Sequence, residues 1–338
     1  MTPAMLGPLA AFSAELGRDP EQVQAAGGNT SCKEDGLLWV KASGLWLADA
    51  LQRDIFVPVG LDAVLRGIAA GVADPVTAAV AAERNPSGLR PSIETTLHAL
   101  LPHRIVVHTH SVRTIALAIR ADGEQEVGRR LVGLRWHWVP YCKPGLPLTR
   151  AVAERLAEGA ADVLVLGNHG LVVGGETLAA TQALLAEVER RLDAPIQPAG
   201  PAAAVPSPMP ELRAPRHRKV HDLAATPRRL AWATAGSLYP DHVIFLGPAA
   251  IDLDDPAAMA TAARRGSKLF LRAGAGALLA GATTPSADEL ALCLALVLER
   301  VPEDARLRHL TAEDEAELLD WDAEKYRQSL AGARTVGT

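Results

Sequence analysis

Residues 105–110 read Ile-Val-Val-His-Thr-His, a short β-branched run that closes on two histidines. Such a run forms a buried strand, and residues two apart on a strand point to the same face. His108 and His110 therefore project together from a rigid backbone. A second run of this kind, Val163-Leu164-Val165-Leu166-Gly167, leads into Asn168-His169-Gly170, where the glycine suits a sharp turn at a strand end. Two imidazoles on one strand and a third at the end of another make a tripod for a divalent ion at about 2.0–2.1 Å, with a coordination position left open. A His-x-His pair alone is more often two ordinary core or surface histidines. Here all three follow apolar runs, and Glu94 lies on an expected helix just before the first strand.

The chain has 338 residues, of which 49% are hydrophobic and 22% charged, enough for two globular domains or one large one. A net charge of −5 argues against a nucleic-acid or anionic-membrane surface, both of which demand a basic excess. A small-molecule partner fits better. Cys32, Cys142 and Cys293 are odd in number and widely spaced, so they suggest neither a disulfide framework nor a structural zinc site, and a reducing cytoplasm is expected. Residues 1–16 lack a basic segment and contain Pro3 and Pro8, so they do not read as a signal peptide.

Apolar spacing predicts helices over 9–19, 61–71, 92–101, 149–158 and 176–192, with Ser92 as a candidate cap. Strands are expected at 37–41, 54–59, 105–110, 163–167 and 171–173. Residues 194–215 are rich in Pro and Ala without periodicity and read as a linker between a domain at 1–193 and a small α/β unit at 216–338. In that unit strands are expected at 242–246, 268–272 and 277–280, and helices at 287–301 and 311–330. The irregular alternation argues for an α/β sandwich with a mixed sheet rather than a regular parallel one. The basic cluster Arg216-His217-Arg218-Lys219 reads as solvated more readily than as a phosphate contact.

Ala26-Gly27-Gly28-Asn29-Thr30-Ser31 joins an early helix to a strand, and its paired glycines let backbone amides approach a ligand oxygen. A second turn, Lys41-Ala42-Ser43-Gly44, offers a cation, a hydroxyl and an amide. Singly these read as plain turns; side by side they would cradle a phosphate.

Gly27-Gly28-Asn29-Thr30-Ser31, Ala42-Ser43-Gly44, Pro91-Ser92-Ile93-Glu94, His108-Thr109-His110 and Asn168-His169-Gly170 occur in the order that resembles the class II aldolase/adducin family. The resemblance covers about residues 20–192 and is nearest to the aldolase region of bifunctional rhamnulose-phosphate aldolase/dehydrogenases, on the run Arg90 to Leu100. Tyr239 to Ile244 and Asp320 to Tyr326 resemble the later part of that region more weakly. The resemblance implies an αβα sandwich with a mainly antiparallel sheet, and a homotetramer with sites near subunit interfaces. It implies Zn2+, or another divalent metal, on His108, His110 and His169, with Glu94 as acid/base. It also implies a sugar-phosphate site of Gly28, Asn29, Ser43, Gly44 and Ser92, with Lys41 beside it. Where the family has a second polar residue after the serine, this chain has Ile93. Tyr141 aligns with a tyrosine that reaches a neighbouring subunit's site and is the candidate proton donor.

The activity so implied is cleavage of a phosphorylated ketose through an enediolate to dihydroxyacetone phosphate and an aldehyde. Such a route needs no Schiff-base lysine, and none of the chain's lysines shows an apolar pocket in the sequence. Glu94 would need a pKa raised toward neutrality by partial burial. His98, on the same helical face, reads as a supporting residue. Dehydration, 4-epimerisation and decarboxylation of sugar phosphates share this scaffold. A non-catalytic binding protein that keeps its metal only for stability is the alternative from another class.

Overall fold

The computed structural model describes residues 3–198, 200, 211–322, 324–326 and 330. The chain divides into two compact units, Met1–Thr114 with Val127–Leu192, and Ile115–Glu126 with Asp193–Thr338. The elements up to residue 192 run α1 (Leu6–Arg18), β1 (Asn29–Glu34), β2 (Leu37–Lys41), β3 (Phe56–Gly60), α2 (Leu61–Ala69), α3 (Thr95–Leu100), β4 (Ile105–Thr109), α4 (Val112–Ala118), α5 (Gly123–Arg130), β5 (Trp136–Val139), α6 (Leu146–Glu158), β6 (Val163–Leu166), β7 (Gly170–Gly175) and α7 (Leu178–Leu192).

The first unit is built on a seven-stranded sheet in the order β3-β2-β1-β4-β7-β6-β5. All neighbours are antiparallel except β5 and β6, so the sheet is mixed and mainly antiparallel, as expected. Alternation along the strands sends Val106, Leu164, Leu166 and Val172 to one face, where they meet Leu97 and Leu101 at α3 and Leu148 and Val152 of α6. Val64 of α2 and Ala99 of α3 cover Leu38, Val40 and Val59 farther along that face. Each such aliphatic side chain, fully buried, contributes about 1.5–3 kcal/mol. Thr30 points to the opposite face, where its hydroxyl lies 2.7 Å from Ser13 Oγ of α1, and α7 packs against β7 and β4. Helices on both faces give the three-layer αβα sandwich.

Residues 29–31, placed by their glycine neighbours in a loop, instead open β1, an interior strand of the sheet. Asn-Thr-Ser-Cys-Lys-Glu has no apolar alternation, so periodicity is silent here. The strand forms because β2 and β4 pair with it on both sides and its first four residues are buried. The helix expected from residue 92 starts at Thr95; Ser92 belongs to the turn before it, with Thr95 N bonded to Ser92 O at 3.1 Å.

The second unit continues with β8 (Leu212–Arg213), α8 (Pro227–Ala235), α9 (Pro240–Leu246), β9 (Ile251–Asp252), α10 (Pro256–Arg265), β10 (Leu269–Arg272), β11 (Gly276–Ala280), α11 (Pro285–Leu298) and α12 (Ala312–Leu319). Its sheet runs β8-β11-β10-β9. Residues 115–126 join it through Ala121 N to Arg306 O at 2.8 Å and Arg308 N to Ile119 O at 2.7 Å. The expected strand at 242–246 is a helix, α9. Pro240 presets the helical φ in its first turn, and every residue of the helix is buried, so no polar stripe betrays the helical period. α12 is closed by a Thr311/Asp314 capping box and ends at Leu319, short of residue 330; residues 323 and 327–329 of the expected helix lie outside the described residues. So do residues 199 and 201–210 of the Pro/Ala-rich stretch. Within the basic cluster, His217 Nε2 pairs with Glu289 at 2.9 Å, and Lys219 Nζ with Asp222 at 3.0 Å and Glu299 at 2.5 Å.

His242 in α9 is fully buried and accepts the Leu238 N–H on Nδ1 at 3.2 Å. Burial, aided by the charge of His309, pulls its pKa from 6.5 down to about 3. The unfolded chain then binds a proton that the folded chain refuses, so stability falls as pH drops below 6.5 and the loss saturates near pH 3. Between pH 7 and 5 the contribution is about 2 kcal/mol. Urea unfolding at the two pH values measures it, and the drop should shrink in His242→Asn, whose carbonyl keeps the acceptor. An undiminished drop in that variant removes His242 as the source.

Candidate metal centre

The tripod is a product of strand register. β4 carries His108 opposite Asn29 of β1 and opposite Val172 of β7, and His110 follows the last residue of β4. The turn between β6 and β7 brings in His169. Asn168 holds a left-handed φ of 52°, which asparagine tolerates better than most residues, and His169 N bonds to Leu166 O at 3.1 Å. Gly170 is required by close approach: a Cβ there would stand 2.4 Å from the Thr109 carbonyl oxygen. All three histidines are buried, and their ligand nitrogens lie within 4.8 Å of one another. His108 Nδ1 is 2.9 Å from Leu171 O and must donate to it, which turns the Nε2 lone pair toward the other two rings. Three imidazoles, one oriented by a carbonyl, suit a Lewis-acidic divalent ion, so the residues fit the metal that the sequence implies.

Glu94 stands immediately before α3, 4% exposed, with Oε2 3.4 Å from His108 Nε2 and Oε1 3.4 Å from His169 Nε2. Burial pushes its carboxyl up, but the imidazoles of His108 and His169, the Asn29 amide and the His110 imidazole more than offset this and hold it at about 2. The expected rise toward neutrality does not occur, because three imidazoles within reach outweigh desolvation. Glu94 is therefore a carboxylate, the form that accepts a proton.

Behind Glu94 runs a chain of buried polar groups. Asn29 Nδ2 donates to Glu94 Oε2 at 2.8 Å and to Ser92 Oγ at 3.2 Å. Asn29 Oδ1 faces His98 Nε2, and His98 Nδ1 lies 2.7 Å from Ser31 Oγ. Burial, against the charge of Glu94 and with smaller help from His108 and Lys33, brings the His98 pKa down to about 3, so its ring is neutral. Sequence reasoning gave His98 a supporting role but missed Ser31. The signal was alternation along β1, which puts Asn29 and Ser31 on one face, with His98 one helical turn beyond Glu94.

The turns singled out for an anion also meet. Ser43 N bonds to Arg90 O at 2.8 Å and Ser92 N to Lys41 O at 3.0 Å, which sets the 42–44 turn beside Ser92. Among the described residues, the buried Ser43 Oγ has no hydrogen-bond partner. Gly28 has a φ of 58°, and a Cβ there would stand 2.8 Å from the His108 carbonyl oxygen. Gly44 also has a positive φ, 75°. The buried Lys41 ammonium donates to Ala26 O at 2.9 Å, bracing the Gly27-Gly28 loop. Tyr141 follows β5, its backbone nitrogen 3.1 Å from where a Cβ on Gly167 would stand, two residues before His169.

Two lysines depart from expectation, since burial lowers the pKa of Lys268 as well as that of Lys33. Burial lowers the Lys33 pKa to about 8, although the sequence shows no pocket for it. Its ammonium donates to the Leu101 carbonyl, where a cation suits the C-terminus of α3. Burial raises both Cys32 and Cys293 to about 12, so neither is a ready thiolate.

A histidine tripod with a buried carboxylate beside it, on a mainly antiparallel sheet covered on both faces, defines a class of protein. The model of the class II aldolase and adducin N-terminal domain matches residues 8–194, and the chain belongs to that family. Among curated relatives it is 34% identical over 178 residues to the uncharacterized oxidoreductase YuxG of Bacillus subtilis, a match over 48% of this chain and 25% of that protein. The chain thus spans about a quarter of that relative's length. It is 28% identical over 171 residues to the L-fuculose phosphate aldolase of Methanococcus vannielii, covering 47% of this chain and 78% of that one. Among solved structures, the N-terminal class II aldolase domain of a conserved protein from Thermoplasma acidophilum matches at 25% identity with a TM-score of 0.48, over 57% of this chain and 93% of that chain. Among the described residues, no helix is long and apolar enough to cross a membrane.

Proposed function

We propose that this protein is a zinc-dependent lyase of the class II aldolase type, which cleaves a phosphorylated ketose to dihydroxyacetone phosphate and an aldehyde. The observation that carries the reading is the buried Glu94 carboxylate 3.4 Å from nitrogens of both His108 and His169. Family membership and the L-fuculose phosphate aldolase relative support it.

His108, His110 and His169 would hold the ion, which supplies positive charge to offset the charge developing on the substrate oxygens as the C3–C4 bond breaks. Glu94 returns a proton to the carbon left by that cleavage; in condensation it takes a proton from the hydroxymethyl carbon of dihydroxyacetone phosphate. Gly28, Ser43, Gly44 and Ser92 bind the phosphate. The unpartnered Ser43 Oγ supports this cradle, and Asn29 joins it to Glu94 through Ser92. Lys41 shapes the cradle through Ala26 and adds its charge nearby. Tyr141, from a neighbouring subunit of a homotetramer, takes the proton of the C4 hydroxyl as the aldehyde forms in cleavage and gives it back to the aldehyde oxygen in condensation.

Incubation of zinc-loaded protein with dihydroxyacetone phosphate in deuterium oxide tests the reading by NMR. Stereospecific loss of one hydroxymethyl proton, abolished by chelator, is the expected result. Absence of exchange with zinc bound stoichiometrically defeats it.

A further inference from the structure

The polar chain behind Glu94 has a direction. His98 Nε2 lies against Asn29 Oδ1, a carbonyl oxygen that can only accept, so Nε2 carries the ring's proton. Nδ1 then holds a lone pair, and the Ser31 hydroxyl, 2.7 Å away, donates to it. The opposite arrangement would turn Asn29 Oδ1 onto the Glu94 carboxylate, oxygen against charged oxygen. The amide therefore cannot flip, and both Nδ2 hydrogens point away from His98, one to Glu94 Oε2 at 2.8 Å and one to Ser92 Oγ at 3.2 Å. His98, Ser31 and Asn29 are all at least nine-tenths buried, so water does not compete for these bonds.

The two oxygens of Glu94 are consequently unequal. Oε2 is committed to Asn29, whereas Oε1 is buried and accepts no hydrogen bond among the described residues. We infer that Glu94 works as a divided carboxylate: Oε2 is its anchor, Oε1 carries the proton to and from substrate carbon, and His98 and Asn29 are the positioning residues that fix this division. The inference rests on the aldolase reading above. Rotation about the carboxylate's last torsion would exchange the oxygens, and the anchor removes that freedom. Misplacement of a reacting group by about 1 Å can cost on the order of 10²-fold in rate. A purely structural role, tying β1 to α3, would lower stability and leave the turnover of folded protein unchanged.

Long-range ¹H–¹⁵N spectroscopy of the wild-type holoprotein reads the His98 tautomer directly, with His98→Gln identifying the signal. The expected form is neutral with the proton on Nε2; a proton on Nδ1 overturns the inference. For activity, deuterium exchange into dihydroxyacetone phosphate is measured with bound zinc and folded fraction determined on the same samples. His98→Leu should lower kcat about 10–100-fold, with KM within about twofold and zinc content unchanged. His98→Gln, whose amide can still donate to Asn29, should recover most of that loss. Full kcat in folded His98→Leu, or equal losses in the two variants, overturns the inference. A wild-type protein that exchanges no deuterium defeats the aldolase reading by itself. The tautomer then decides the anchor, Nε2–H sustaining it and Nδ1–H overturning it.

Discussion

Glu94→Gln will lower turnover by about 10²–10⁴-fold, the usual span for loss of a positioned general acid or base. Glutamine keeps the volume of the side chain and an acceptor oxygen for Asn29, so the surrounding packing is preserved. What it loses is basicity, and with it the means to take a proton from the hydroxymethyl carbon. The three imidazoles are untouched, so zinc content should match the wild type. Deuterium exchange into dihydroxyacetone phosphate and elemental analysis of the same preparation check both halves. Exchange at the wild-type rate would remove Glu94 from the chemistry.

His169→Ala acts on the metal instead. His108 and His110 would remain on β4, but two imidazoles chelate a divalent ion weakly, and the turn that supplies the third donor would be left with a methyl group. Even partners that only orient a ligand are worth about 10–100-fold in metal affinity, so loss of the ligand itself should exceed about 100-fold. Dialysed protein should then retain far less than one zinc per chain and show a matching loss of exchange. Stoichiometric zinc in His169→Ala would exclude this residue from the tripod.

The parts of the molecule legible in sequence are those where chemistry and periodicity coincide. His108 and His110 stood out because a β-branched run leaves no doubt about which side chains share a face. The structure then brings His169 to them, as the second apolar run suggested. β1 was hidden because Asn29, Thr30 and Ser31 are polar and buried at once, stabilised by partners far away in sequence rather than by a pattern of their own. α9 was misread because its wholly buried helix offers an apolar run that a buried strand would also show. The ionisation of Glu94 was misjudged because burial can be guessed from sequence, whereas its distances to three imidazoles cannot.

The antiparallel pairing of β4 with β7 also sets an order of assembly. His108 and His110 are neighbours in sequence, but His169 comes about sixty residues later and reaches them only when Thr109 stands opposite Leu171. An unfolded chain therefore presents no preformed tripod, so a metal held by all three histidines would favour the folded register over the unfolded chain. Such an ion would clasp β4 to the β6–β7 turn, and its binding free energy would add to the stability of that pairing.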